Sequence, residues 1–234
     1  MRKWWFVLGL VLLVPLFVSR ETAIPADNPA EIPVETKYVA LTFDDGPKQG
    51  TTDRLLDGLK ERGASATFFL VGEYAAVNQD LVRRMRDEGH QVGNHTWSHV
   101  RLLGKDTDAL LREVQHMELL LREILEGSGY WLRPPYGAID EALKEKIEVP
   151  LVKWSVDPRD WESRDQKQIT ESVLQQIEPN GIVLLHDIYP ASVDAALEII
   201  DTLQQKGYWF VTVEELLRLN GITPQAGVMY RTGA

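Results

Sequence analysis

The sequence predicts a parallel α/β fold in a single domain, with a closed or partly closed barrel favoured over an open sheet. Short apolar runs alternate with helical patterns roughly seven times along the chain, and this alternation is typical of βα units. Several helical patterns are followed directly by Gly, the preferred residue just past the end of a helix. The 234 residues are enough for one substantial core but not comfortably for two.

Each predicted strand is a mostly apolar run of three to six residues, which suits a buried strand better than a helix. Such runs are expected in a parallel sheet, because both faces of its strands are covered. In order along the chain, the predicted strands are residues 38–43, 66–71, 91–94, 131–134, 150–154, 181–186 and 209–211.

The predicted helices lie between these strands, where apolar residues recur every three or four positions. The longest and most regular pattern has Leu110, Val114, Met117 and Leu121 on one face. In order along the chain, the predicted helices are residues 52–62, 80–88, 106–125, 140–147, 166–177, 191–206 and 213–219.

Two segments before this domain and one after it have a different character. Residues 1–20 place Arg2 and Lys3 before a run of fifteen residues without charge, which is typical of a signal peptide or membrane anchor. Because no convincing small-residue cleavage site follows, we favour an uncleaved anchor that holds the domain outside the membrane over secretion of a cleaved form. Residues 21–37 read as a Pro-rich linker, residues 38–220 as the folded domain and residues 221–234 as a short tail.

The composition narrows the chemistry that this chain can perform. There is no Cys, which excludes disulfides, iron–sulfur clusters and thiolate zinc sites, so His and carboxylate groups would have to hold any metal. The formal charge is −10, and three of the cations lie in the first twenty residues, so the rest of the chain is more acidic still. This charge argues against a nucleic acid partner and favours a neutral or cationic polymer.

Two predicted strands end in residues that suit a metal site. Asp44 and Asp45 close the first strand, and His95 and His99 follow the third. Imidazoles four residues apart share a face over one helical turn, so both can reach one metal ion. One carboxylate and two imidazoles suit zinc or a neighbouring divalent ion with positions left for water, and the second carboxylate is then free to accept a proton. The alternatives are an ordinary Asp-Gly turn and a structural pair of histidines.

Three more predicted strands end in polar or aromatic residues. Arg133 ends the fourth, Asp160 and Trp161 follow the fifth, and His186 ends the sixth. Each has an ordinary interpretation by itself, as a surface cation, a polar loop or a structural histidine. In a barrel, however, the carboxyl ends of the strands meet at the rim where active sites lie. The ordinary interpretations would require five separate strand ends to carry such residues at one rim by coincidence, so a shared functional site is the better interpretation.

These five segments resemble the five motifs of the polysaccharide deacetylase family, also called carbohydrate esterase family 4 or the NodB-like domain. The resemblance covers about residues 38–219, and it implies a distorted (β/α) barrel that removes N-acetyl groups from an amino-sugar polymer and releases acetate. In the family's order, the motifs are TFDDGP at 42–47, HTWSH at 95–99, RPPYG at 133–137, WSVDPRDW at 154–161 and IVLLHD at 182–187.

The resemblance implies a metal-binding and proton-accepting group. Asp45, His95 and His99 would hold one divalent ion, most simply Zn²⁺, with Co²⁺ or another divalent ion as alternatives. Asp44 would be the general base, and Arg133 would pair with it. All five positions match the family's motifs.

The resemblance further implies the residues that surround the acetyl group. The backbone N–H of Tyr136 would help to stabilise the oxyanion. His186 would be the general acid, oriented by Asp160, while Leu184 and Trp161 would form the walls of the pocket for the acetyl methyl. The expected partners are a carbohydrate polymer and, through the N-terminal segment, a membrane, and we expect a monomer.

Other functions use part of the same pattern. A site of two histidines and one carboxylate is also found in iron-dependent oxygenases, but those have no use for a second Asp, for Arg133 or for the distant His186. An esterase, a cyclic-amide hydrolase and a non-catalytic wall-binding protein remain as alternatives. Among polymers, peptidoglycan is preferred over chitin because the chain resembles an exported, surface-held protein.

Overall fold

The sheet of this protein is built around β1, which is flanked by parallel neighbours on both sides. β2 and β5 pair with β1 on opposite edges, β3 extends β2, and β6 pairs with the first residues of β1. The strands of this sheet are β1 (Lys37–Asp44), β2 (Thr67–Leu70), β3 (Gln91–Asn94), β5 (Ile182–His186) and β6 (Tyr208–Phe210). A second, two-stranded parallel sheet consists of β4 (Leu151–Val152) and β7 (Met229–Tyr230).

The computed structural model describes Met1, residues 36–104 and residues 106–234. Residues 36–234 form one compact unit. The predicted anchor at 1–20 and nearly all of the predicted linker lie outside the described residues, apart from Met1. Among the helices that are described, none combines the length and the apolarity needed to cross a bilayer.

Single bridges join the two sheets into a distorted barrel. Leu132 pairs with Asn94 at the end of β3 and with Leu151 in β4, and Val156 pairs with Val183 in β5. The path from β1 through β2, β3, Leu132, β4 and Val156 to β5 therefore returns to β1, which confirms the predicted fold class. The barrel is distorted where three single bridges take the place of continuous ladders.

The predicted strand at 131–134 is wrong, because only the bridge at Leu132 remains of it. Pro134 and Pro135 follow, and Pro has no N–H group to contribute to a ladder. Residues 221–234 differ from the expected tail, because β7 lies within them and Gly233 N–H donates to the carbonyl oxygen of Asn180 at 2.8 Å. A two-residue strand has no sequence period from which it could be predicted.

Helices connect the strands, and the seven predicted ones are all present, the last with its predicted bounds and the others with ends shifted by up to three residues. The sequence did not predict α2 and α6, because six and four residues are too few to display a helical period. In the described part of the chain the helices are α1 (Thr52–Glu61), α2 (Gly72–Val77), α3 (Gln79–Asp87), α4 (Thr107–Leu125), α5 (Glu141–Lys144), α6 (Asp160–Ser163), α7 (Gln166–Gln176), α8 (Pro190–Gln204) and α9 (Val213–Leu219).

The alternation of side chains along β1 decides which residues reach the barrel interior. Leu41 and Phe43 belong to an apolar cluster that includes buried residues of α1 and α8. Ala40, Thr42 and Asp44 have the opposite orientation, since successive side chains of a strand point to opposite faces. The interior face of β1 therefore ends in a buried carboxylate, 3% exposed, at the carboxyl rim of the barrel.

Candidate active site

A cavity of about 390 Å³ lies at the carboxyl ends of β1, β3 and β5. Asp44 pairs in register with His186 on β5, so the ends of these two strands bring the first and last motifs together. Eight of the ten predicted site residues line the cavity, and Arg133 and Asp160 lie buried behind it. The lining residues are Asp44, Asp45, His95, His99, Tyr136, Trp154, Asp157, Trp161, Leu184 and His186.

Asp45, His95 and His99 form a group with the geometry of a metal site. The Oδ1 atom of Asp45 is 3.6 Å from His95 Nε2 and 3.3 Å from His99 Nε2, and one ligand atom from each residue lies within 4.8 Å of the others. Asp45 Oδ1 is buried and has no hydrogen-bond partner among the described residues. A carboxylate oxygen and two imidazole nitrogens fit a divalent ion such as zinc, and fewer than four protein ligands leave a position open.

The orientation of His95 favours the ligand form of its ring. Its Nδ1–H donates to the carbonyl oxygen of Arg133 at 2.7 Å, which leaves Nε2 with a lone pair facing Asp45. Burial lowers the pKa of His95 in spite of the nearby charges of Asp44 and Asp45, so the neutral imidazole is favoured.

The helical turn expected between His95 and His99 is absent, and a loop takes its place. Thr96 and His99 have φ values of 67° and 57°, in the left-handed region, so the chain reverses and brings the two rings to 5.0 Å. Asp45 and Tyr136 are also left-handed, at 71° and 60°. Residues other than Gly adopt this conformation at a cost of about 1–2 kcal/mol each, so the surrounding contacts must impose it.

Asp44 is held by a buried guanidinium. Arg133 is fully buried, and its Nη1 donates to Asp44 Oδ1 at 2.7 Å and to Thr42 Oγ1 at 2.6 Å. Its Nη2 donates to the carbonyl oxygen of Lys153 at 3.0 Å, and its guanidinium carbon lies 4.2 Å from the ring centre of Phe69. These contacts fix the plane of the guanidinium and, through it, the direction of the Asp44 carboxylate.

The charge state of Asp44 follows from two opposing effects. Burial raises the pKa of its carboxyl, but Arg133 outweighs burial together with the imidazoles of His95 and His186. The resulting pKa lies below the ordinary value of 3.8. Asp44 is therefore ionised at neutral pH, with its Oδ2 at 3.6 Å from His95 Nε2 and close to the metal-binding group.

His186 is oriented by a buried carboxylate. Its Nδ1–H donates to Asp160 Oδ1 at 2.8 Å, and its backbone N–H donates to Asp160 Oδ2 at 2.8 Å. Ser192 Oγ donates to the same Oδ2 at 2.6 Å. Burial lowers the pKa of His186, but Asp160, with smaller contributions from Asp44 and Asp45, raises it to about 9. The ring is therefore cationic at neutral pH, with Nε2 facing the cavity 4.0 Å from Asp45 Oδ2.

Aromatic and apolar side chains form the remaining walls. Tyr136 is 57% exposed and its ring centre lies 4.9 Å from that of His99, while Trp161 is 44% exposed and Leu184 is buried. Trp154 and Asp157 also line the cavity, although neither was singled out in the sequence analysis. Both lie in the segment that resembles the fourth motif, which is the signal that could have found them.

Two supporting residues escaped the sequence analysis. Thr42 donates to the carbonyl oxygen of Val183 at 2.6 Å and accepts from Arg133, and its place two residues before Asp44 in a strand was a usable signal. Ser192 carries no such signal, because it lies on α8, far along the chain from Asp160.

Comparisons with known proteins identify relatives of this chain. A sequence model of the polysaccharide deacetylase family matches residues 31–149. The peptidoglycan-N-acetylmuramic acid deacetylase PdaC of Bacillus subtilis is 40% identical over 183 residues, which cover 77% of this chain and 38% of that protein. A peptidoglycan-N-acetylglucosamine deacetylase of Bacillus cereus is 37% identical over 205 residues, which cover 80% of this chain and 92% of that protein.

A solved structure extends the likeness to the fold. The family 4 acetyl xylan esterase from Clostridium thermocellum, in complex with a cobalt ion, is 31% identical and has a TM-score of 0.79. The match covers 84% of this chain and 98% of that chain. By contrast, the chain spans less than two fifths of the length of PdaC, at 38%.

Proposed function

The chain belongs to the polysaccharide deacetylase family, and from this membership we propose that it is a metal-dependent enzyme that hydrolyses N-acetyl groups of an amino-sugar polymer and releases acetate. One observation carries the proposal. The Asp45–His95–His99 group lies beside an ionised Asp44, and a cationic His186 faces the same cavity. A base, an acid and a metal-binding group around one cavity are what amide hydrolysis requires.

Zn²⁺ is the ion we propose for Asp45, His95 and His99, with Co²⁺ as an alternative. The donor set of one oxygen and two nitrogens supports zinc, and the cobalt ion in the acetyl xylan esterase supports the alternative. When bound, a divalent ion supplies Lewis-acid chemistry and makes water acidic enough to act as a nucleophile near neutral pH.

The side chains would divide the proton transfers between them. Asp44 accepts the proton from water as the oxygen adds to the acetyl carbonyl carbon, and Arg133 keeps Asp44 ionised and oriented. The N–H of Tyr136 donates to the carbonyl oxygen as it becomes negative, and one such donor contributes about 3–4 kcal/mol. His186, held by Asp160, donates a proton to the nitrogen as the C–N bond breaks, which gives acetate and a free amine.

The size of the cavity suits a small acyl group. Leu184 and Trp161 would contact the acetyl methyl, because both line the cavity and present apolar surface. For the polymer we propose peptidoglycan, supported by the names of the Bacillus relatives and by the export pattern at residues 1–20. The likeness to an acetyl xylan esterase favours O-deacetylation as a second candidate.

The proposed location is outside the cytoplasmic membrane, with residues 1–20 retained as an anchor. The missing cleavage site and a wall polymer as substrate support it. Cell fractionation with N-terminal sequencing tests the anchor, since a soluble form that begins near residues 20–30 would leave export intact and remove the anchor. We also propose a monomer, supported by ten predicted site residues of a single chain, eight of which line the cavity while two lie buried behind it.

Acetate release tests the proposed activity directly. We expect release from N-acetylglucosamine oligomers and from peptidoglycan, loss of activity after dialysis against a chelator, and recovery with Zn²⁺ or Co²⁺. Acetylated xylan separates the esterase candidate. Full turnover by protein shown to be metal-free by elemental analysis would contradict the mechanism. Binding of peptidoglycan without acetate release from any substrate would indicate a non-catalytic wall-binding protein.

A further inference from the structure

A second cavity, of about 310 Å³, lies beside the active site, and three of its nine lining residues are cations. Lys144, Lys153 and Arg231 contribute side chains to it, together with one acid, Glu141. Glu141 pairs with Lys144 at 3.4 Å, so the single carboxylate of the cavity already has a partner. We call this site the basic cavity.

Strand pairing brings the two remaining cations together. β4 and β7 are parallel and in register, with Leu151 opposite Met229 and Val152 opposite Tyr230. Lys153 and Arg231 are the next residues of these two segments, and the Lys153 N–H donates to the carbonyl oxygen of Tyr230 at 2.7 Å. The fold therefore places two positive charges side by side.

Nothing in the described part of the chain neutralises this pair. No carboxylate there forms an ion pair with Lys153 or with Arg231, although the chain as a whole has a formal charge of −10. Burial lowers the pKa of Lys153, and the charge of Arg231 lowers it further. Like charges at facing positions of a sheet destabilise it, and an anion between them would remove that repulsion.

The basic cavity and the active site are separated by a single turn of chain, Pro135–Gly137. A Cβ atom on Gly137 would lie 2.5 Å from Lys153 Cε and 2.9 Å from the ring of Trp154, so only Gly allows this approach. Lys153 lines the basic cavity and Trp154 lines the active site, while the ring of Tyr136 contacts His99. The Nζ atom of Lys153 lies 5.9 Å from the ring centre of Trp154, so a sugar held against Trp154 would direct a neighbouring substituent towards Lys153.

We infer that the basic cavity binds a carboxylate carried by the polymer next to the sugar that is deacetylated. Lysine and arginine donate charge-assisted hydrogen bonds to carboxylates, and arginine can do so with two N–H groups. The inference rests on the proposed function and narrows its substrate class. It favours amino-sugar polymers with acidic side branches, such as peptidoglycan, over neutral polymers such as chitin.

Steady-state kinetics with two substrates of equal length test this inference. One is an N-acetylglucosamine tetrasaccharide, and the other is a peptidoglycan tetrasaccharide that carries its carboxylates. For the double variant Lys153→Gln/Arg231→Gln we expect KM for the acidic substrate to rise at least tenfold. For the neutral substrate KM should change less than twofold, and kcat should change little for both. Added salt should weaken the preference of the unmodified protein for the acidic substrate.

Lys206→Gln is the matched control, because it removes an exposed positive charge just before β6, at the opposite end of the barrel. It should leave both KM values unchanged. Unfolding temperatures of all variants show whether each is folded. An equal rise in KM for both substrates, or no rise for the acidic one, would overturn the inference.

A binding measurement separates this inference from the proposed activity. Calorimetry compares the acidic peptidoglycan tetrasaccharide with the same compound after its carboxylates are converted to amides. Tighter binding of the acid, lost in the double variant, supports the basic cavity even if no substrate releases acetate. Equal binding of both compounds contradicts the inference even if the enzyme is an active deacetylase.

Discussion

Asp160→Asn removes the negative charge behind His186 and keeps the size and shape of the side chain. Asp160 is fully buried and accepts three hydrogen bonds, from His186 Nδ1–H, from the His186 backbone N–H and from Ser192 Oγ. An asparagine side chain offers one oxygen and one NH₂ group in their place. At least one donor must therefore lose its acceptor, and the cationic form of His186 loses its counter-charge.

The size of the effect follows from the contacts of His186. Burial lowers its pKa, and Asp160 provides the main contributions that raise it to about 9. A hydrogen bond to a charged group contributes about 1.5–3 kcal/mol, and a change of one pKa unit corresponds to about 1.4 kcal/mol. The pKa of His186 should therefore fall by about one unit or more in the variant.

The sign of the pH effect follows from the protonation state that is needed. A general acid works in its protonated form, so with His186 as the proposed acid we expect kcat to fall as the pH rises through the pKa of His186. In Asp160→Asn this alkaline fall should move to lower pH, and kcat at its maximum should drop by about 10²–10⁴-fold. The pairing also stabilises the fold below pH 6.5, and this stabilisation is lost as the pH rises through about 9. The unfolding temperature should therefore drop more at pH 6 than at pH 10.

The assay is kcat for acetate release from an N-acetylated oligomer between pH 6 and pH 11, with the metal content measured alongside. Asp157→Asn is the control, because Asp157 lines the same cavity but accepts its hydrogen bond from the Arg159 N–H rather than from His186. In this control variant, kcat should fall at the same alkaline pH as in the unmodified protein. An unchanged alkaline fall in Asp160→Asn would refute the assignment of His186 as the acid.

Four further substitutions test separate parts of the site. Asp44→Asn should retain its metal, while its kcat falls at least about 100-fold. Asp45→Asn should lose its metal, and excess Zn²⁺ should restore part of its activity. Elemental analysis together with kcat measures both effects. His186→Ala should retain metal and impair amides more than activated esters, because a phenolate leaves with less protonation than an amine; paired kcat values measure this. Gly137→Ala should lower the free energy of unfolding by about 1–3 kcal/mol in denaturant titrations, because of its φ of 63° and the contact with the Lys153 side chain.

Each of these outcomes has a clear opposite. If Asp44→Asn contained no metal while Asp45→Asn was loaded with metal and inactive, Asp44 would be the metal ligand and Asp45 the general base. Equal losses on amides and esters in His186→Ala would argue against proton donation to the leaving group. Gly129→Ala is the control for the turn, because its φ is 76° and no atom lies within 4 Å of an added Cβ. If both substitutions lowered the free energy of unfolding equally, the contact of the added Cβ with the Lys153 side chain would make no contribution.

The sequence determined those features that depend on a local pattern. The two-residue period of β1 requires Asp44 to point to the same side as Thr42, and the end of the strand places both at the rim. The run of apolar residues before His186 likewise determines a buried strand with a polar end. The alternation of strands and helices was sufficient to predict the barrel, and the polar ends of the strands selected eight of the ten candidate site residues. The other two, Tyr136 and Leu184, were implied only by the resemblance to the deacetylase family.

Tertiary structure decided the features that depend on contacts between distant segments. The sequence contains no period that could predict the bridge at Leu132 or the two-residue strand β7, and the His95–His99 loop was predicted as a helical turn because spacing alone does not reveal left-handed residues. Ser192 reaches Asp160 only because α8 packs beside the site. Arg231 reaches Lys153 because β7 pairs with β4. Such contacts form when the core is packed and the backbone hydrogen bonds of short segments find partners, and these are properties of the whole fold rather than of any segment.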